Sequence, residues 1–139
     1  MTASTPSRRT VLQAGGVAVA GGLTVAACGA ASTPQAAPNT VVTGPVGTPD
    51  QVPVGGGAIF PKAAVVVTQP VQGQFRAFST RCPHQGCAVA SVSDGYIVCP
   101  CHNSRFAVAT GAPTPDSPAQ QPLAPRQVAV EGGSLVIEG

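Results

Sequence analysis

Cysteine and histidine are concentrated in two short segments of this chain, which hold four of its five cysteines and both of its histidines. Residues 82–87 read C-P-H-Q-G-C, and residues 99–104 read C-P-C-H-N-S. Each segment offers thiolate and imidazole ligands, the donor types that bind zinc and iron–sulfur clusters. The eleven residues between the segments are enough for a strand and a turn that bring the two loops together. The pattern predicts a metal site.

These two segments resemble the cluster-binding loops of the Rieske iron–sulfur family, whose pattern is C-x-H-x-G-C followed by C-P-C-H-x-S. In that family a [2Fe–2S] cluster is held by two cysteines on one iron and two histidines on the other. The resemblance implies a disulfide between Cys87 and Cys101 that ties the loops together. It also implies one cluster per chain with four protein ligands: Cys82, His84, Cys99 and His102.

Two other interpretations use the same residues. A structural zinc ion is also bound by two cysteines and two histidines, but zinc ribbons normally use C-x-x-C or H-x-x-x-H spacing and do not need two further cysteines. Two ordinary disulfides in an exported domain would leave both histidines without a role. The zinc-binding module is therefore the non-redox alternative to a Rieske centre.

Residues beside the ligands tune the potential of such a centre. The resemblance implies that the Ser104 hydroxyl donates to a bridging sulfide, as in high-potential respiratory members of the family. Those members have a tyrosine where this chain has Phe106, and a large apolar residue where it has Gln85. Because one hydroxyl donor is missing, we expect an intermediate potential within the range of about −150 to +300 mV for Rieske centres. Quinol oxidation is not favoured.

The amino-terminal residues have the features of an export signal. Arg8 and Arg9 precede an Ala/Gly/Val-rich stretch at 14–27, which resembles a twin-arginine signal. An ordinary basic start before a hydrophobic helix is the alternative, but this stretch is shorter than the roughly 20 apolar residues of a spanning helix. Residues 25–29 read V-A-A-C-G and resemble a bacterial lipobox, which implies lipidation of Cys28. Cleavage by ordinary signal peptidase would instead leave Cys28 as a free thiol.

Three regions are expected. Residues 1–28 form a twin-arginine signal peptide with a lipobox, and residues 29–50, rich in small residues and proline, form a flexible linker. Residues 51–139 form one small all-β domain. The resemblance implies an antiparallel β-sandwich or barrel with a rubredoxin-like cluster-binding subdomain, in which the Pro-rich segment 110–125 is a loop that covers the cluster. Eight strands are predicted, at 58–60, 64–68, 74–79, 88–92, 96–99, 104–108, 127–130 and 135–137.

Charge and composition exclude some classes of function. Without Arg8 and Arg9, five basic and five acidic residues remain, so the net charge is zero and nucleic acid binding is not indicated. No nucleophile–base pair is recognisable, which favours an electron-transfer component of an oxidoreductase over a catalyst acting alone. Arg81 and Arg105 flank the two loops and are candidates for orienting an acidic redox partner.

The resemblance to the Rieske family implies a one-electron carrier. The resemblance of the amino terminus to a twin-arginine signal and a lipobox implies that this carrier is exported and lipid-anchored, at the outer face of the cytoplasmic membrane or in the periplasm. Alternatively, the chain is the iron–sulfur subunit of a quinol:cytochrome c oxidoreductase or of an arsenite-oxidase-type enzyme. Its partners would then be a redox donor and acceptor, such as a cytochrome b or c or the large subunit of a molybdenum oxidase. The ferredoxins of ring-hydroxylating oxygenases share the Cys and His ligands but generally lack the two bridging cysteines.

Overall fold

A computed structural model describes residues 36–37 and 42–139. All of them belong to one unit of the chain, Ser32–Gly139. The predicted signal peptide at 1–28, with Arg8, Arg9 and Cys28, lies outside the described residues, as does most of the predicted linker before residue 42. Within the described part of the chain, no helix has the length and apolar character needed to cross a membrane.

Nine strands and two short 3₁₀ helices make up the described structure. The helices are Pro49–Gln51 and Pro61–Ala63. The strands are β1 Gly44–Gly47, β2 Gly57–Phe60, β3 Val65–Val71, β4 Gln74–Ser79, β5 Ser91–Ser93, β6 Tyr96–Cys99, β7 Ser104–Ala107, β8 Pro125–Glu131 and β9 Ser134–Glu138. They form two antiparallel sheets, one of six strands in the order β1-β9-β8-β4-β3-β2 and one of three in the order β5-β6-β7. The all-β, antiparallel fold class predicted from the sequence is confirmed.

Strand β3 explains how one sheet supports two apolar cores. Successive side chains of a strand point to opposite faces. Val65 and Val67 therefore pack with Leu135 and Ile137 of β9, whereas Val66 packs on the other side, in a core shared with the three-stranded sheet. A strand buried on both faces needs apolar residues without alternation, which accounts for the uninterrupted run of three valines.

Two hairpin turns have the conformation that their sequences predict. Asp94 and Gly95 join β5 to β6 and have φ angles of 52° and 78°. Gly132 and Gly133 join β8 to β9 with φ angles of 55° and 80°. Positive φ at both central residues is the requirement of a type I′ turn, which Asp-Gly and Gly-Gly satisfy at low cost. The Asp94–Gly95 turn sets the register that brings the second cysteine-rich segment back towards the first.

The folded part begins earlier than the predicted boundary at residue 51. Gly44 and Pro45 pair with Ile137 and Val136 of β9, so β1 is the edge strand of the larger sheet. The sequence of β1, G-P-V-G, has the composition of a linker, and a proline is tolerated in a strand only at an edge or an end. The sheet partner, not the local sequence, makes this segment a strand. The linker prediction for 29–50 is therefore wrong for Gly44–Gly47.

Strand β5 begins three residues later than the strand predicted at 88–92. The reason is that Ala88 and Val89 pair back with residues before the first cysteine-rich segment. Ala88 forms an isolated bridge with Arg81, and the Val89 amide donates to the Thr80 carbonyl at 2.8 Å. These bonds close the base of the first loop, so the residues belong to the loop stem and not to the small sheet.

A buried hydrogen bond joins β3 of the larger sheet to the residue that follows β7 of the smaller one. Removing this bond tests its contribution to the stability of the fold. The Thr68 hydroxyl on β3 donates to the Val108 carbonyl at 2.7 Å, and Thr68 is fully buried. Thr68→Val preserves the side-chain shape but leaves that carbonyl unpaired. We expect a loss of about 1–3 kcal/mol in the free energy of unfolding, measured by urea denaturation. Thr68→Ser, which keeps the hydroxyl, is the control; equal stability of Thr68→Val and wild type would contradict this role.

Candidate metal centre

The predicted ligands lie on two loops that leave different sheets. Cys82 and His84 lie in the loop between β4 of the larger sheet and β5 of the smaller one, here called the first loop (residues 80–90). Cys99 ends β6, and His102 lies in the turn between β6 and β7, here called the second loop (residues 100–103). The antiparallel pairing of β5 with β6 places these loops at the same end of the small sheet.

Backbone hydrogen bonds give the first loop its shape. The Cys82 amide donates to the Cys87 carbonyl at 2.8 Å, and the Gly86 amide donates to the Cys82 carbonyl at 2.9 Å. Gly86 has a φ of 78°, and a Cβ there would lie 2.7 Å from Nη2 of Arg81. A side chain there would be strained by the backbone conformation, and it would also displace the Arg81 guanidinium. This accounts for the glycine of the C-x-H-x-G-C pattern.

The second loop is a tight turn between paired strands. Cys99 is directly opposite Ser104, and Ile97 is directly opposite Phe106. Because side chains alternate along a strand, these four residues share one face of the small sheet. Asn103 has a φ of 58°, in the left-handed region that asparagine adopts more easily than most residues.

The disulfide between Cys87 and Cys101, implied by the family resemblance, is present. It joins the two loops with a Cα–Cα distance of 6.4 Å and closes a chain separation of 14 residues. The sulfur atoms of Cys87, Cys99 and Cys101 lie within 4.8 Å of one another. Disulfide sulfurs cannot become thiolates, so these three residues are not a metal-binding set by themselves. The disulfide instead holds the loops together beside Cys99.

Among the cysteines of residues 42–139, two remain as thiols, Cys82 and Cys99, and both are buried. They pack in the same apolar core. Burial raises the pKa of the Cys99 thiol above its ordinary value, while backbone amides of Cys101 and His102 act in the opposite direction. Those amides point at the sulfur and would stabilise a thiolate there. A metal that binds the pair must displace protons, so we expect metal affinity to fall as the pH falls.

The two histidines meet at the surface beside these thiols. Their ring centroids are 4.8 Å apart, and the ring planes are nearly perpendicular. His102 is exposed, and His84 is partly buried. Nδ1 of His84 is buried and has no hydrogen-bond partner within the described structure. Because burying an unpaired polar atom is costly, this nitrogen is placed for a ligand. Two thiols and two imidazoles that converge in this way fit the donor set of a Rieske cluster.

The other predicted site residues occupy distinct environments. The Ser104 hydroxyl is buried and also lacks a hydrogen-bond partner in the described structure, on the face of the small sheet that carries Cys99. Phe106 is fully buried in the core that includes both thiols. Gln85 is exposed at the apex of the first loop. Ser104 thus has an unused donor close to Cys99, whereas Phe106 offers none.

The Pro-rich segment packs over the first loop. Ala119 and Leu123 enter the core that contains both thiols. The Ser79 amide donates to the Ala124 carbonyl at 2.8 Å, which fixes the end of the segment beside β4. Gln121 and Pro122 line a cleft of about 500 Å³ together with His84. The segment before β8 is irregular, as its sequence predicted, and it lies against the candidate site, as the family resemblance implied.

One contact to the site was not expected from the sequence. The Ala37 amide donates to the Gly86 carbonyl at 3.0 Å, and Nη1 of Arg81 donates to the Ala37 carbonyl at 3.2 Å. Residues 36–37, within the predicted linker, therefore pair with the first loop. Nothing in their small, uncharged sequence signals this, because the contact uses only their backbone groups.

Comparison with known proteins agrees with this geometry. The family model described as Rieske [2Fe-2S] domain matches residues 39–130, well over half of the chain. A relative named as a putative respiratory nitrate reductase subunit Rieske, from Haloferax mediterranei, is 36% identical over 75 residues. That match covers 53% of this chain and 34% of the relative, so the chain spans about a third of the relative's length.

A second relative is the 3-phenylpropionate/cinnamic acid dioxygenase ferredoxin subunit of Escherichia coli, 34% identical over 93 residues, covering 63% of this chain and 84% of the relative. The curated matches thus include both a reductase subunit and a ferredoxin, so they indicate the family and not the role.

Solved structures show the same fold. The cyanobacterial plasma membrane Rieske protein PetC3 of Synechocystis is 29% identical with a TM-score of 0.55, covering 71% of this chain and all of that one. The ferredoxin of carbazole 1,9a-dioxygenase from Nocardioides aromaticivorans is 27% identical with a TM-score of 0.52, covering 69% of this chain and 96% of that one. With the family model matched over both cysteine-rich loops, this chain belongs to the Rieske [2Fe-2S] family.

Proposed function

We propose that this protein is an exported one-electron carrier with one [2Fe–2S] cluster per chain, bound by Cys82, His84, Cys99 and His102. The observation that carries the proposal is that Cys82 and Cys99 are buried free thiols packed in one core, and that His84, which lines the same cleft as Cys82, has a buried Nδ1 without a partner in the described structure. Neither thiol is in a disulfide, so both are available to a metal. When bound, a cluster of this kind accepts and releases a single electron.

The residues around the site shield the two thiols from water and leave the two histidines accessible. Cys82 and Cys99 lie in an apolar core with Ile97 and Phe106, which keeps water from the sulfur side. His102 is exposed and His84 is partly buried, so a redox partner can approach the site from the side of the two imidazoles.

Removing a ligand tests the assignment. Cys82→Ser and His102→Leu should each abolish cluster binding, because each removes one of four protein ligands. Iron analysis, the visible spectrum and electron paramagnetic resonance of the reduced protein are the measurements. Gln85→Leu, in the same loop but exposed, is the matched control and should keep a full signal. A full-intensity Rieske signal in either ligand variant would rule out the ligand set.

The same measurements address the alternative of a zinc-binding module. Zinc in place of iron in wild-type protein, with no visible absorption, would favour a structural role. The disulfide beside Cys99 and the unpartnered Ser104 hydroxyl favour the iron–sulfur centre, because a tetrahedral zinc site needs neither of them.

The potential of the centre should respond to Ser104 and Phe106. Ser104→Ala removes a hydroxyl that is placed to donate towards the cluster, so we expect a lower midpoint potential. Phe106→Tyr adds a hydroxyl on the same face of the sheet, so we expect a higher one. Protein-film voltammetry gives both signs. Unchanged potentials, or shifts in the opposite directions, would contradict the proposed hydrogen-bond donation to the cluster.

We further propose export by the twin-arginine route, lipidation at Cys28 and a location at the outer face of the cytoplasmic membrane or in the periplasm. The motifs at Arg8, Arg9 and Cys28 support this, and the solved relative described as a plasma membrane Rieske protein is consistent with it. The proposed partners are a redox donor and acceptor, with a cytochrome b or c or a molybdenum oxidase large subunit as candidates. The relative named as a nitrate reductase Rieske subunit favours a subunit role as the second candidate.

Localisation is tested separately from the cluster. Cys28→Ala should release the protein from membranes with an unchanged cluster, because Cys28 lies outside the domain. Replacing Arg8 and Arg9 by lysine should retain the precursor in the cytoplasm, because this export route recognises the arginine pair and not charge alone. Cell fractionation and mass spectrometry of the amino terminus are the measurements. An intact Met1 end on membrane-bound wild-type protein would contradict the lipoprotein proposal.

A further inference from the structure

Three arginines line two adjoining clefts, and His84 lines one of them. The first cleft, of about 500 Å³, is lined by Arg81, His84 and Arg126 among others. The second, of about 280 Å³, lies where β4 pairs with β8 and is lined by Arg76 and Arg126. Because Arg126 belongs to both linings, the two clefts adjoin each other. We call Arg76, Arg126 and Arg81 the arginine band.

No carboxylate lines either cleft of the arginine band. All three arginines are exposed. Glu131 ends β8 while Arg126 lies at its start, which separates them by roughly 17 Å along the strand. Glu138 is nearer, because it pairs with Gln127, but side chains alternate along a strand and its side chain is therefore on the opposite face from Arg126. Asp94 is in the β5–β6 turn, at the opposite end of the hairpin from Cys99. The chain has equal numbers of acidic and basic residues after position 9, but the linings of these two clefts contain arginine and no acidic residue.

Arg105, beside the second loop, differs from the band. Its guanidinium carbon lies 4.5 Å from the centroid of the Tyr96 ring, and it shares a cleft of about 310 Å³ with Asp116. The positive charge there is covered by an aromatic ring and has a carboxylate in the same lining. Among the described residues, the clefts lined by arginine without a carboxylate are therefore on the His84 side of the candidate centre and not on the Tyr96 side.

We infer that the redox partner that approaches His84 presents an acidic protein surface to the arginine band. The inference rests on the proposed electron-transfer function and adds the chemistry of the partner. Guanidinium groups bind carboxylates through paired hydrogen bonds, and like-signed surfaces repel. Charges at the rim of a docking site act mainly on the rate of association. The band extends over two clefts, which matches an extended surface better than a single small anion.

The test compares electron transfer from the reduced protein to two one-electron acceptors, plant plastocyanin, which is acidic, and mitochondrial cytochrome c, which is basic. The readout is the ratio of the two second-order rates, because a change in midpoint potential affects both rates in the same direction. Arg126→Gln and Arg76→Gln should each lower the ratio of the plastocyanin rate to the cytochrome c rate by roughly two- to fivefold at low ionic strength. The difference should vanish in about 1 M salt, where the screening length is only about 3 Å.

Arg105→Gln is the matched control, since it removes the same charge beside the second loop and should leave the ratio unchanged. Arg81 is not the first choice of variant because its side chain also holds Ala37. An equal effect of Arg105→Gln, or an unchanged ratio in the Arg76→Gln/Arg126→Gln double variant, would overturn the inference while electron transfer itself persists. Absence of electron transfer to both acceptors would contradict the proposed function as well.

Discussion

The candidate centre depends on placing two polar thiols inside an apolar core. Cys82 and Cys99 are as buried as Ile97 and Phe106 and pack in the same cluster between the two sheets. A core position fixes the sulfur atoms more firmly than a surface loop would, because packing leaves few alternative rotamers. It also excludes water from the sulfur side. The two histidines, which lie nearer the surface, then form the only part of the four-residue donor set that a partner can approach.

The loops that carry these residues are restrained by several independent contacts. The disulfide joins one loop to the other, and the Arg81–Ala88 bridge closes the base of the first. Residues 36–37 add backbone hydrogen bonds from outside the domain predicted from sequence. Each restraint lowers the entropy that metal binding would otherwise have to overcome. The contact of residues 36–37 also connects the segment after the proposed lipid anchor directly to the candidate site.

Relatives of this chain include a nitrate reductase subunit and a dioxygenase ferredoxin, so the fold alone does not assign a role. The features that distinguish one Rieske protein from another lie around the loops. In this chain they are Phe106 in the core, Gln85 at the loop apex and the arginine band beside His84. Phe106 bears on the midpoint potential of the centre, and the arginine band bears on the choice of redox partner.

The sequence by itself determined the family, the all-β class and the identity of the candidate ligands. It could do so because a metal centre needs particular side chains at short, local spacings, and because turns such as Asp94–Gly95 depend on the conformational preferences of single residues. It did not determine that Gly44–Gly47 is a strand or that Ala37 contacts Gly86, since both depend on backbone groups whose partners are distant in the chain. The arginine band is likewise a product of the tertiary structure. Arg76, Arg81 and Arg126 are separated by up to 50 positions, and only the tertiary structure brings them to the linings of two adjoining clefts.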